Sequence, residues 1–320
     1  MIFEHIKNVG VYNCFLAVIA TLAKYYGRDY HMISSSDWKL KYDVAESNKR
    51  VGERIDIINQ IDASDRAGQF HGFTWEVEIL EDGRFNNQEH FEEFTYPSIG
   101  SFDLYYLKGS TAYQKYHFSH YIIISEYDFK TETYICIDPY FQYAKYNIPR
   151  EDLYSGINKY AKLIFLELPK KNSMENYIKV IQEDIITVNQ DNENDTNIRQ
   201  LASDICTKMD INYEFDEFKN DLQTVPILDK IRKVAMYRDA YICMLDYIYK
   251  LFKLKYLKEA SNLLRQSVTL WKTAKGKLLK TYITNSINND RGTISKMITQ
   301  IADIERQAIN IVLSNKIGGV

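Results

Sequence analysis

The chain has 320 residues, 45% of them hydrophobic and 26% charged, with only 13 Gly and 5 Pro. That composition excludes disordered, collagen-like and low-complexity classes, and the length suits about two domains, each large enough to bury a core. The net charge is −3, and no apolar run approaches the roughly 18 residues needed to cross a bilayer, so no integral membrane protein is expected.

The first apolar run, CFLAVIATLA from Cys14 to Ala23, predicts a helix. No basic stretch precedes it, and Lys24-Tyr25-Tyr26 follows where small cleavage-site residues would stand, so it does not read as a secretory signal. A lipoprotein cysteine would follow the apolar stretch, whereas Cys14 begins it. The other cysteines, Cys136, Cys206 and Cys243, lie far apart and form no CxxC pair. Neither a disulfide framework nor a zinc site is expected, and a cytoplasmic protein with free thiols is the reading.

Further along, HYIIISEYD and TYICID are rich in β-branched and aromatic residues and predict two strands, with KLIFLEL a third. Pro169 followed by KKNS makes a domain junction. Beyond it the pattern turns helical: MENYIKVIQEDIITV, TNIRQLASDICTKM and VPILDKIRKVAMYRDAYICMLDYIYKLFKL repeat apolar residues three and four apart, with Pro226 suited to a first turn. Segments around Leu263–Leu279 and Ile294–Val312 continue this, with Gly276 and Gly292 as expected breaks; Cys206 and Cys243 fall in apolar helical patterns and read as core. The expected architecture is α+β, with residues 1–170 an α+β domain and 171–320 an all-α domain.

Charge is uneven along the chain. Residues 1–170 carry a net −6, 171–226 a net −7 and 227–320 a net +10. The basic end reads either as a solvated helical surface or as a landing site for an acidic partner. No zinc-finger, RNP or P-loop motif points to nucleic acid.

Cys14 follows Gly10 and the polar Asn13 and opens an apolar helix, where first-turn N–H groups and the helix dipole stabilise a thiolate. A lone cysteine beside such a helix is ordinarily core. The segment FSHYIIISEYDFKTETYICIDPYF reads as a hairpin turning near Asp128–Thr131; a turn centred on residue 129 sets His120 opposite Asp138. A carboxylate there can hold one imidazole nitrogen and leave the other to take a proton from a thiol. Seen alone, the same residues are a strand-end histidine and a turn aspartate. His117 and His71 are left without a role, His71 as a possible cleft residue, and no metal-ligand spacing joins them.

The order Cys14, His120, Asp138 resembles papain-like cysteine peptidases, and the HYIII…YICIDP pairing is similar to their bacteriocin-processing C39 branch. The resemblance covers roughly residues 1–170 and implies a papain-like domain with a Cys-bearing first helix and an antiparallel sheet. It departs at Phe15, where those peptidases favour Gly. They also place a Gln ahead of the Cys as an oxyanion donor; Asn8 and Asn13 are the candidates here, and each also reads as a turn or helix cap. C39 domains usually precede the membrane part of an exporter, whereas here a helical domain follows. That arrangement looks like butirosin-type acyltransferases and the cysteine-protease homologues that form amide bonds in closthioamide-type antibiotic biosynthesis. The resemblance implies acyl transfer from an acyl or peptidyl carrier protein, through a Cys14 acyl-enzyme, to a small amine. No cofactor is implied beyond the carrier's phosphopantetheine arm, and no metal, nucleic acid or membrane. A cysteine peptidase and a non-catalytic binding module are the alternatives. Lys250, Lys253, Lys255 and Lys258, whose spacing of three and five residues places several of them along one side of a helix, are the candidates for docking the carrier.

Overall fold

The computed structural model describes residues 3, 12–35, 38–57, 63–79, 97–169, 172–189 and 193–315. Among these residues the chain is α+β, with nine α-helices, a six-stranded antiparallel sheet and a two-stranded sheet. It divides into two compact units, Met1–Ile33 with Ser64–Lys170, and Ser34–Ala63 with Lys171–Val320.

The first unit opens with α1 (Cys14–Tyr25). Asn13 caps it, its Oδ1 accepting the Leu16 N–H at 2.8 Å. Leu16 to Ala23 are all buried, so α1 is enclosed on every side and is not amphipathic. Gly27, at φ 71, ends it, with the Arg28 N–H returning to the Ala23 carbonyl at 2.8 Å. Helix α2 (Ala63–His71) then leads into the sheet, whose strands are β3 (Phe73–Ile79), β4 (Ser98–Asp103), β5 (Ser119–Asp128), β6 (Thr133–Asp138), β7 (Ala144–Pro149) and β8 (Ile157–Phe165). Their order is β3-β8-β4-β5-β6-β7, all antiparallel. Helix α3 (Arg150–Gly156) joins β7 to β8 and adds Leu153 to a core of Phe102, Ile122, Ile124, Cys136 and Ile148. Gly156 is required there, because a Cβ would lie 2.5 Å from the Phe102 ring.

The β5–β6 register differs from the expected one. The hairpin turns at residues 129–132, and Ile123 pairs with Ile137 and Ile124 with Cys136, before a bulge between Ile124 and Glu126. Asp138 therefore falls opposite Ile122, not His120. Since the side-chain period is two, His120 and Asp138 still share a face, as diagonal neighbours.

The second unit holds β1 (Leu40–Tyr42) and β2 (Ile55–Ile57), with α4 (Met174–Val188), α5 (Glu193–Thr207), α6 (Ile211–Phe215), α7 (Pro226–Phe252), α8 (Lys255–Ile283) and α9 (Ile287–Ser314). Residues 34–63 belong here although they were expected in the first domain, because their polar anchors are met by the helices. Trp38 Nε1 donates to Glu305 Oε2 at 2.9 Å, the Leu40 N–H to Asn194 Oδ1 at 3.2 Å and Tyr42 Oη to Asp204 Oδ2 at 3.1 Å. Arg54 pairs with the same Asp204 at 2.8 Å. Gly52 lets this loop approach the start of α7, where a Cβ would come within 2.1 Å of the Ile227 nitrogen.

Glu305 is the polar centre of the helices. Its buried carboxylate accepts from Arg238 Nε and Nη2 at 3.2 Å, Ser267 Oγ at 2.7 Å, Trp271 Nε1 at 3.2 Å and Asn194 Nδ2 at 3.2 Å, besides Trp38. Burial pushes its pKa up, but the Arg238 charge and these donors bring it below the ordinary value.

Two expectations for the helices fail. Gly276 and Gly292 lie inside α8 and α9 and break neither. A helical glycine costs only about 1 kcal/mol against alanine, which the apolar stripe outweighs. Cys206 and Cys243 sit on α5 and α7 but are half-buried and not core.

Candidate active site

Cys14 occupies the first position of α1, with Asn13 as its cap. The backbone N–H groups at that helix start have no acceptor within the helix. The Leu16 N–H goes to Asn13 Oδ1, and the Phe15 N–H is directed at the Cys14 sulfur. Strand β5 brings a second backbone donor, the Tyr121 N–H, to the same sulfur. His120, the preceding residue, hydrogen-bonds the Cys14 side chain.

The other end of His120 is fixed. Its Nε2–H donates to Asp138 Oδ2 at 2.7 Å, leaving Nδ1 as the nitrogen for the thiol. Both side chains are almost wholly buried, at 2% and 1% exposure, while Cys14 is only partly covered. Asp138 is itself held, its Oδ1 accepting the Phe141 N–H at 3.1 Å. The rings of Tyr140 and Phe141 pack on the imidazole at 5.7 and 5.2 Å. The arrangement is continuous: sulfur, imidazole, carboxylate.

Its electrostatics follow from the contacts. Burial alone would push the His120 pKa down, but the bonds to Asp138 and Cys14 reverse this and push it up to about 9. Burial would push the Cys14 thiol up, yet the His120 hydrogen bond and charge, with the Tyr121 and Phe15 N–H groups, hold it below its usual value of 9.0. Between the two pKa values the pair is a thiolate beside an imidazolium. A sulfur held as the thiolate is the nucleophilic form.

No family model matches the chain, and no curated protein matches it.

The remaining sequence candidates fall in different places. Asn13 spends its amide oxygen on the helix cap, so only its Nδ2 can serve an oxyanion. Asn8 lies outside the described residues. His117 precedes β5 and is well exposed; its Nδ1 donates to Asp103 Oδ2 at 2.6 Å while its ring stacks on Tyr105 at 4.4 Å. His71 is buried rather than lining a cleft. Its Nε2 accepts the Met32 N–H at 3.1 Å, and burial together with the nearby His31 lowers its pKa to about 3. Cys136 is fully buried, and burial pushes its thiol up. Among the described residues no group of three or more His, Cys, Asp or Glu is placed to hold a metal ion, and no helix is long and apolar enough to cross a membrane.

The four lysines do not lie along one helix. Helix α7 ends at Phe252, Lys253 turns the chain at φ 58, and α8 begins at Lys255, so Lys250 and Lys258 sit on different helices. Lys258 is engaged with Asp246 at 3.3 Å, and Lys250, Lys253 and Lys255 are exposed. The donors that sequence reasoning missed are the Tyr121 and Phe15 N–H groups. Backbone donors carry no residue signature; the only signal for the first was its position beside His120.

Proposed function

We propose that this chain is a cysteine acyltransferase that moves an acyl group from a carrier-protein thioester to an amine. The observation that carries the reading is the unbroken Cys14–His120–Asp138 array, with the sulfur partly accessible and the other two buried. The Cys14 thiolate attacks the thioester carbonyl, and the oxyanion is met by the Cys14 backbone N–H and the Asn13 amide. Collapse expels the carrier's thiolate, which takes the His120 proton and leaves an acyl-enzyme on Cys14. The amine then attacks; His120, now neutral, takes its proton, and the Cys14 thiolate departs. In the acyl-enzyme the Cys14 contribution to His120 is gone, but the Asp138 contact remains and still raises the basicity of the imidazole, which suits an amine acceptor. The aromatic cover from Tyr140 and Phe141 restricts water around that base, which favours transfer over hydrolysis.

The fold proposed for the first unit is papain-like and C39-like, on the sequence resemblance and on the Cys-bearing helix with its antiparallel sheet. The place of action proposed is the cytoplasm. The donor is a carrier protein, with Lys250, Lys253 and Lys255 as its contacts.

The test is intact mass spectrometry with acylated carrier protein and, in parallel, acyl-cysteamine thioesters. An acyl adduct that maps to Cys14, is absent in Cys14→Ala and is discharged by amines faster than by water supports transfer. Discharge by water alone makes the protein a hydrolase, as the peptidase alternative requires. No adduct from either donor leaves a binding module. Charge reversal at the three exposed lysines should slow acylation from the carrier and spare the small thioester. Equal loss with both donors would sink the docking assignment.

A further inference from the structure

A row of aromatic rings begins at the residue that follows Cys14. Phe15, next in sequence to Cys14, has its ring 4.7 Å from Tyr121 and 5.8 Å from Trp75, the latter edge-on at 79°. Trp75 continues to Phe73 at 6.4 Å. Phe73 is buried, whereas Phe15, Tyr121 and Trp75 are only partly covered, so the row leads from the sheet's interior to accessible surface. The two residues whose backbone N–H groups hold the Cys14 sulfur, Phe15 and Tyr121, are the two whose rings begin the row. A group bonded to that sulfur therefore lies within a side chain's reach of them. The Tyr121 hydroxyl is engaged by Ser101, which leaves its ring as the apolar part. Scattered apolar side chains on a surface are ordinary, but a contiguous aromatic row beginning at a reactive sulfur is the kind of surface a ligand covers.

We propose that Phe15, Tyr121 and Trp75 form the acyl subsite and select apolar acyl groups of several carbons over acetyl and over charged acyl groups. No charged side chain belongs to the row, so a carboxylate or ammonium on the acyl group would lose hydration with nothing to replace it. Each methylene laid against the rings gains part of its transfer free energy, which raises capture by about twofold to fourfold. This inference rests on the acyl-transfer reading above.

The deciding experiment does not depend on turnover. Alkyl methanethiosulfonates modify a thiolate in one step: the Cys14 sulfur bonds the alkylthio sulfur, and methanesulfinate leaves with the electron pair. Rates at Cys14 are measured by peptide mapping for methyl, propyl, butyl and hexyl reagents and for a sulfonatoethyl reagent, each normalised to glutathione. The expected result is a normalised rate rising about twofold to fourfold per methylene to butyl, with the sulfonatoethyl reagent slower than propyl. Trp75→Ser should flatten the series and Trp75→Leu should keep most of it. A flat series in the unmodified protein overturns the proposal, as does a steep one surviving in Trp75→Ser. If Trp75→Ser does not fold, the unmodified protein and Trp75→Leu still decide. Failure of the transfer reading looks different: no thioester acylates Cys14, although the methanethiosulfonate series keeps its slope.

Discussion

Replacing Asp138 by Asn keeps the shape of the contact to His120 and removes its charge. The imidazole Nε2–H then meets a neutral amide oxygen where it had a carboxylate at 2.7 Å, in a site that water barely reaches. The rise of His120 from 6.5 to about 9 corresponds to roughly 3 kcal/mol of preference for the imidazolium, shared between Asp138 and Cys14. A hydrogen bond to a neutral acceptor is about half as strong as one to a charged acceptor, so the variant's His120 should fall by about one pKa unit or more. The thiolate that the imidazolium stabilises falls with it. The second-order rate of Cys14 alkylation by iodoacetamide, followed from acid to alkaline pH with peptide mapping, should shift its midpoint upward as the imidazolium is lost at lower pH. At a fixed pH below that midpoint the rate drops about tenfold per unit. Stability supplies a second reading with a definite sign. Because the folded His120 pKa lies above its unfolded value, the contribution is whole below about pH 6.5 and is lost as pH rises through about 9. The stability gap between parent and Asp138→Asn, from urea unfolding, should therefore be largest near pH 6 and close across that window. Superimposable alkylation profiles, with no gap at low pH, would show that Asp138 does not hold the imidazolium.

Three further outcomes follow from the fold. His71 has a folded pKa of about 3, so its stabilising contribution is present above about pH 6.5 and is lost as pH falls toward 3; His71→Gln should remove part of the acid sensitivity of unfolding while weakening the acceptor for the Met32 N–H. Glu305→Ala strands the buried Arg238 charge with two indole N–H groups and should destabilise by about 3–5 kcal/mol, measured by denaturant unfolding; a loss under 1 kcal/mol would mean water reaches the hub. Gly276→Ala meets open space in mid-helix and should stabilise by about 0.5–1 kcal/mol, and a destabilised variant would contradict the helix assignment.

The parts of the fold that could be read from the sequence are those governed by neighbours along the chain. Asn13 before an apolar run marks the start of α1, and β-branched runs mark β5 and β6, because caps and strand patterns are local. The hairpin's register differs from the expected one by two because the turn, at residues 129–132, lies beyond the expected centre at 129, and the bulge after Ile124 takes back only part of that shift. His120 and Asp138 nevertheless meet, since an error of two keeps the face. The helix breaks were placed at glycines, but the chain turns at Lys253 and Asn285, both non-glycine residues at positive φ, where packing of the flanking helices fixes the backbone. The lysine row was misread for the same reason. Residues 34–63 were assigned to the wrong unit because their partners lie far ahead: Tyr42 meets Asp204 162 residues later. No local window contains such a pair.

That long reach has a consequence during synthesis. Trp38 leaves the ribosome 267 residues before the carboxylate that will receive its indole N–H. At about 5–20 residues per second the interval is roughly 13–53 s, longer than most elementary folding events by orders of magnitude. Asn194 and Asp204, which anchor Leu40 and Tyr42, follow them by 154 and 162 residues, so until then the β1–β2 hairpin has no helix to bury it, and Trp38 waits longer still, while the last strand of the first unit has already been made. The nascent chain therefore carries an unfinished apolar loop between two parts of a unit that can already close. A chaperone, or the aggregation-prone surface of another nascent chain, would meet the protein at residues 34–63.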